Sequence, residues 1–158
     1  MPDAIDGFDR RILRVVQQDC HVTAETMAEA VGLSASAVQR RLKRLRSDKV
    51  IAAEVAVLDR SQAGPMMTFI AGVEIARDNY DALPKLRLWI GQQDAIQQAY
   101  YVTGPVDVIL IVLAQDMDSF DSVCVRMIEH NPQIRRINTN VVLNIVKLGL
   151  CLPIDTSA

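Results

Sequence analysis

Cysteine, histidine and aromatic side chains are scarce in this chain, and no apolar run is long. Its three cysteines, Cys20, Cys124 and Cys151, are widely spaced and odd in number. That argues against a disulfide framework and fits a reducing compartment. The two histidines, His21 and His130, have no partner at metal-ligand spacing, so neither a metal nor another cofactor is expected. No apolar run approaches the roughly 18 residues of a membrane span, so no membrane partner is expected. The opening M-P-D-A-I-D is acidic and lacks the apolar core of a signal peptide, which points to a cytoplasmic location. No nucleophile–base pair, carboxylate pair or phosphate-cradling loop stands out, so catalysis is not expected.

Apolar residues are what the chain has in quantity. They make up 50% of its 158 residues, enough for one large or two small domains with real cores. The net charge of −2 hides an asymmetry. Residues 1–60 hold ten Lys or Arg against nine acids, whereas residues 61–158 hold seven against ten. Six of the basic residues fall between Arg40 and Lys49, beside a single acid. The cationic footprint is therefore one helix, and oligomerisation would supply the avidity that one helix lacks.

That helix sits in a recognisable local pattern. Thr23 can cap a short helix, with Glu25 favourable in its first turn. Ala24, Met27, Ala28 and Val31 follow at helical spacing and make one apolar face. Gly32 can take φ > 0 and end the helix, Leu33 plugs the angle, and Ser34 caps the next helix. There Val38, Leu42 and Leu45 point inward, so Ser36, Arg40 and Lys43 point away, flanked by Gln39 and Arg44. A first helix over residues 6–18, with Ile5, Phe8, Ile12 and Val16 on one side, completes a three-helix core. The shape is a helix-turn-helix that lays a basic helix in the major groove of double-stranded DNA. Ser34, Ser36, Gln39 and Arg40 lie near the end that meets bases, where Arg40 suits a guanine and Gln39 an adenine. Arg41, Lys43, Arg44, Arg46 and Lys49 suit phosphates, which position the protein without reading sequence.

Residues 1–50 thus form one domain. Residues 51–65 are expected to hold a β-prone segment, either the wing of a winged helix or a bridging strand, and then a linker at Ser61, Gly64 and Pro65. Residues 66–158 change period. Strands are expected at 66–75, 95–103, 106–113 and 134–146, and helices at 79–92 and 119–130. Pro84 is tolerable only in a first helical turn. Asn131 and Pro132 stop the second helix. The order β-α-β-β-α-β is the ferredoxin-like arrangement of an α+β fold. Residues 106–113 are apolar at both parities: Ile109, Ile111 and Leu113 one way, Val108, Leu110 and Val112 the other. A strand apolar on both sides needs both sides covered, and no third helix is available. A dimer packed sheet on sheet is the economical solution.

Three blocks of sequence carry a resemblance. They are Ile5-Asp6-Gly7-Phe8-Asp9-Arg10-Arg11-Ile12-Leu13; then Gly32-Leu33-Ser34 with Val38, Arg41, Arg44-Leu45 and Val50-Ile51; then Tyr101-Val102-Thr103-Gly104-Pro105-Val106-Asp107. In this order and spacing the chain resembles the leucine-responsive regulatory protein/AsnC family of transcription regulators over nearly its whole length. The resemblance implies a winged helix-turn-helix joined to a ferredoxin-like domain that dimerises and assembles further, often to octamers. It also implies a small effector, usually an amino acid, bound between dimers against Tyr101, Val102, Thr103, Gly104, Val106 and Asp107. A glycine turn can offer N–H groups to a carboxylate, and Asp107 can take an α-ammonium, although the same residues also make a plain hairpin turn. The chain departs from the family at Pro105, which removes one N–H, at Lys49, where glycine is usual, and at His21, where arginine is usual. Two functions follow: a sequence-specific regulator modulated by an amino acid, or an architectural protein that compacts DNA without a ligand.

Overall fold

The computed structural model describes residues 5–76 and 82–156. Two compact units are present, Met1–Val57 with Lys147–Ala158, and Leu58–Val146.

Unit 1 contains α1 (Gly7–Val16), α2 (Ala24–Val31) and α3 (Ala35–Ser47). Each helix starts on a side-chain cap that satisfies an otherwise orphaned backbone N–H. The Asp6 carboxylate accepts from Asp9 N at 2.8 Å, and the Asp9 carboxylate accepts from Asp6 N at 3.2 Å. Thr23 Oγ1 accepts from Thr26 N at 3.2 Å, and Ser34 Oγ from Ala37 N at 3.3 Å. Gly32 closes α2 at φ 73°, a left-handed conformation that suits glycine. Ile12, Val16, Met27, Ala28, Val31, Val38, Leu42 and Leu45 are buried together, the inward residues that the helical spacing gives. Lys49 leaves α3 at φ 59°, a left-handed conformation that favours glycine. Ile51 N then donates to Leu45 O at 3.1 Å.

Within the single chain, residues 52–58, where a wing or bridging strand is expected, carry no strand, and Val55, Val57 and Leu58 are exposed. β-prone residues make a strand only beside a partner backbone, and none lies alongside this segment among the described residues.

Unit 2 contains β1 (Met67–Ile75), α4 (Ala82–Ile90), β2 (Ile96–Tyr101), β3 (Val108–Ala114), α5 (Met117–His130) and β4 (Ile134–Val141). The sheet order is β2-β3-β1-β4 and every pair is antiparallel. This is the expected ferredoxin-like topology. Pro84 is the third residue of α4, inside its first turn. The expected start of that helix, residues 79–81, lies outside the described residues. β4 ends five residues earlier than the sequence suggests, because its partner β1 begins at Met67. Val142 N donates to Thr68 O at 2.9 Å as the last rung.

Both helices cover one face of the sheet. Phe69, Ala71, Val73, Val108, Leu110 and Val112 are buried there with Leu86, Trp89, Phe120, Val123 and Met127. The Phe69 and Phe120 rings stack at 4.1 Å between centroids. The opposite face takes the alternate residues. In register these are Ile70 beside Ile111, Gly72 beside Ile109 and Thr68 beside Leu113. Ile70, Ile109, Ile111 and Leu113 are only half-buried, with no helix over them. Among the described residues no helix is long and apolar enough to cross a membrane.

Candidate functional site

The cations of α3 divide by direction. Ser36, Gln39, Arg40 and Lys43 are exposed and fall at i, i+3, i+4 and i+7, so they form one outward stripe. Among the described residues no carboxylate pairs with Arg40 or Lys43. Ser34 sits at the head of the stripe, but its hydroxyl is the cap of α3 and lies 3.2 Å from that of Ser36.

Arg41 and Arg44 face the other way. Arg41 Nη1 donates to Asp6 Oδ2 at 2.7 Å and to Asp9 Oδ1 at 2.9 Å. Arg44 Nη2 donates to Asp9 Oδ2. Asp9 is fully buried, and these two guanidiniums are the cationic partners that a buried carboxylate needs. The Asp9 N–H, and after it Arg41, hold the Asp6 carboxyl below the usual carboxylate range. Bonds to Asp6 and then to Asp9 push the Arg41 guanidinium up. The Phe8 ring lies under Arg11 at 4.5 Å and under Arg41 at 5.5 Å. Arg46 is also occupied, donating to Glu54 Oε1 at 2.7 Å from Nη2 and 3.2 Å from Nε. Three of the residues expected at phosphates therefore bond carboxylates of their own unit, and two of them tie α3 to α1. The sequence held a signal for this. Asp9 lies on the apolar face of α1 with Ile12 and Val16, and an acid there needs a buried cationic partner.

The second candidate site is the turn between β2 and β3. Val102 N donates to Asp107 O at 2.9 Å, and Asp107 N donates to Val73 O at 2.9 Å. Asp107 Oδ2 accepts from Ile75 N at 2.7 Å, so this carboxylate fastens the turn to the end of β1. Val106 rests on Gly72, on the sheet face that no helix covers. A Cβ at position 72 would lie 2.9 Å from Val106 Cγ1, which explains the glycine. Gly104 has φ 127°, open to glycine and strained for other residues. Thr103, Gly104 and Tyr101 are exposed, and Val102 is half-buried. No acceptor among the described residues takes the N–H of Thr103, Gly104 or Val106. Among the described residues the turn therefore presents free donors beside Asp107, whose Oδ1 has no partner there. Pro105 has no N–H to add.

Two families of known proteins match this chain in succession. Residues 5–46 match the AsnC-type helix-turn-helix domain, and residues 68–150 match the Lrp/AsnC ligand binding domain. The HTH-type transcriptional regulator y4tD of Sinorhizobium fredii is 37% identical over 96% of this chain and 89% of its own length. The crystal structure of an AsnC family transcriptional regulator from Agrobacterium tumefaciens superposes with a TM-score of 0.87 at 27% identity, covering 97% of this chain and 99% of that one. A second, of a Neisseria meningitidis transcriptional regulator in complex with L-Met, gives 0.85 at 23% identity, over 95% and 97% of the two chains, a likeness of fold.

Proposed function

The chain belongs to the Lrp/AsnC family of transcription regulators, and from that premise we propose that its α3 stripe reads double-stranded DNA while its β2–β3 turn binds an amino-acid effector. The observation that carries the DNA reading is the exposure of Ser36, Gln39, Arg40 and Lys43, with no carboxylate among the described residues paired to the two cations. Arg40 is suited to a guanine and Gln39 to an adenine, each good bidentate pair contributing about 1–3 kcal/mol of discrimination. Lys43 and Lys49 supply phosphate contacts. Arg41 and Arg44 act one step back: they hold the angle between α1 and α3.

The effector reading rests on the free N–H groups of the turn, suited to a carboxylate, and on Asp107, suited to an ammonium. The uncovered residues Ile70, Ile109, Ile111 and Leu113 support dimerisation through the sheets, with higher assembly, up to an octamer, built from those dimers. A dimer would set two α3 helices on half-sites separated by about 34 Å or a multiple. Effector binding would shift that equilibrium by the usual coupling of about 1–3 kcal/mol. The protein would act in the cytoplasm.

A second reading has one observation in its favour. Pro105 and the engagement of Asp107 by Ile75 N both reduce what the turn can offer a ligand, which fits an architectural protein that compacts DNA unaided. A mobility shift on the DNA upstream of the chain's own gene, with and without a pool of amino acids, separates the two. A shift that the pool changes supports the regulator; a shift indifferent to every amino acid, with compaction of long DNA, supports the architectural protein. No shift on any DNA refutes both.

A further inference from the structure

The chain enters unit 1 twice. It leaves α3 through residues 50–57, and after β4 it returns as residues 147–156. The returning segment is fastened to α1 in a specific way. Gln17 Nε2 donates to Leu152 O at 2.8 Å, and Leu152 N donates to Gln17 Oε1 at 2.9 Å. One side-chain amide thus pairs both polar groups of one peptide residue, as a neighbouring strand would. The Cys151 thiol donates to Gln17 O at 3.2 Å, and Arg14 Nη1 donates to Thr156 Oγ1 at 3.4 Å.

The grip is polar and accessible. Leu150 is 78% exposed and Leu152 69% exposed, and Ile154 is the one apolar side chain of residues 147–156 that is half-buried, so apolar burial contributes little to holding the segment. Exposed hydrogen bonds of this kind are individually weak, and the attachment can open and close. Its two ends are well placed. Upstream, Val142 is bonded to Thr68 of β1, and β4 pairs with the stretch of β1 that carries Gly72, Val73 and Ile75, the residues holding the β2–β3 turn. Downstream, α1 bears Asp9, which is bonded to Arg41 and Arg44 of α3.

We propose that residues 147–156 are a strap, latched by Gln17, that passes the state of the effector turn through β4 to α1 and so to the DNA-reading helix. This rests on the reading of the chain as an effector-modulated DNA binder. Ligand at the turn acts on β1, β1 on its partner β4, and β4 pulls or releases the strap. Gln17 is a positioning residue, remote from the exposed stripe of α3.

Full-length Gln17→Ala tests it, read by hydrogen exchange at the Leu152 amide and by fluorescence anisotropy on the upstream DNA with and without the amino-acid pool. The variant is expected to exchange the Leu152 amide faster and to keep its ligand-free DNA affinity. Its effector-induced change in affinity should fall from the about 5–150-fold of ordinary allosteric coupling to less than about twofold. Gln17→Glu keeps the acceptor and loses the donor, so it should fall between. Melting curves for both variants, unchanged from the wild type, separate lost coupling from lost folding. Unchanged exchange at Leu152, or a full effector response once that exchange has risen, overturns the strap. A wild type that responds to no amino acid overturns the effector reading itself, and the strap with it.

Discussion

The helix α3, proposed to face DNA, and the β2–β3 turn, proposed to bind an effector, differ in how much of a site one chain supplies. On α3 the parts are present together: a cap, an inward apolar face, a lateral ion-pair cluster and an outward stripe. The turn has an anchor in Asp107, a floor in Gly72 and a set of free donors, but the sheet face it borders is uncovered. A helix satisfies its own backbone and needs neighbours only along one stripe. A ferredoxin-like sheet with both helices on one side needs a second layer, which here a second copy would provide. Disturbing the sheet face should therefore disable the turn and spare the helix, and disturbing the ion-pair cluster should do the reverse.

The largest effect is expected from Ile111→Lys. It places a charge where two sheets would meet, so sedimentation should show a monomer where the proposed arrangement makes the wild type a dimer. Effector binding by calorimetry should disappear, while unit 1 melts as before. A dimer that persists with Ile111→Lys would remove the sheet-on-sheet arrangement.

Asp9→Ala attacks the other side. Removing one partner of a buried pair costs about 3–5 kcal/mol. Both guanidiniums are partly solvated, and Arg41 keeps Asp6, so a loss of about 2–3 kcal/mol from unit 1 is expected in a denaturant titration. Effector affinity should hold. An unchanged titration midpoint would mean that Asp9 is not what ties α1 to α3.

How legible each region was in the sequence follows from the same contrast. The caps at Thr23 and Ser34, the turn at Gly32 and the inward trio Val38, Leu42 and Leu45 depend on neighbours a few residues away, and the periodicity gave all of them. The division among the cations did not follow. From α3 alone, Arg41 and Arg44 sit on its flanks, and only the position of Asp9 on α1 decides that they turn inward. In the sheet domain the element order and Pro84 were readable, because strand and helix periods differ. The extents of β4 and of the segment after α3 were not readable, since a β-prone run becomes a strand only as far as a partner accompanies it. The latch at Gln17 joins residues 135 positions apart and leaves no local trace.

Smaller changes sharpen the contrast. Gly72→Ala forces a methyl against Val106, an overpacking that typically costs about 1–3 kcal/mol. Movement of the exposed turn should relieve most of it, so the change is expected to appear as weaker effector binding, with DNA affinity intact. Equal effector affinity in the variant and the wild type would detach the turn from ligand recognition. Smallest is Lys49→Gly. A non-glycine residue in the left-handed region costs about 1–2 kcal/mol, partly offset by the flexibility glycine adds to the unfolded chain. A net gain of about 0.5–1 kcal/mol for unit 1 is expected by thermal melting, and a loss would show that Lys49 repays its strain elsewhere.

The most direct test of the central claim compares Arg40→Ala with wild type by anisotropy, on a bound operator and on unrelated DNA of equal length. Loss of a bidentate base contact should lower the operator's advantage by about tenfold or more, with binding to unrelated DNA falling far less. An operator preference equal to that of the wild type would contradict the assignment of α3 as the helix that reads DNA.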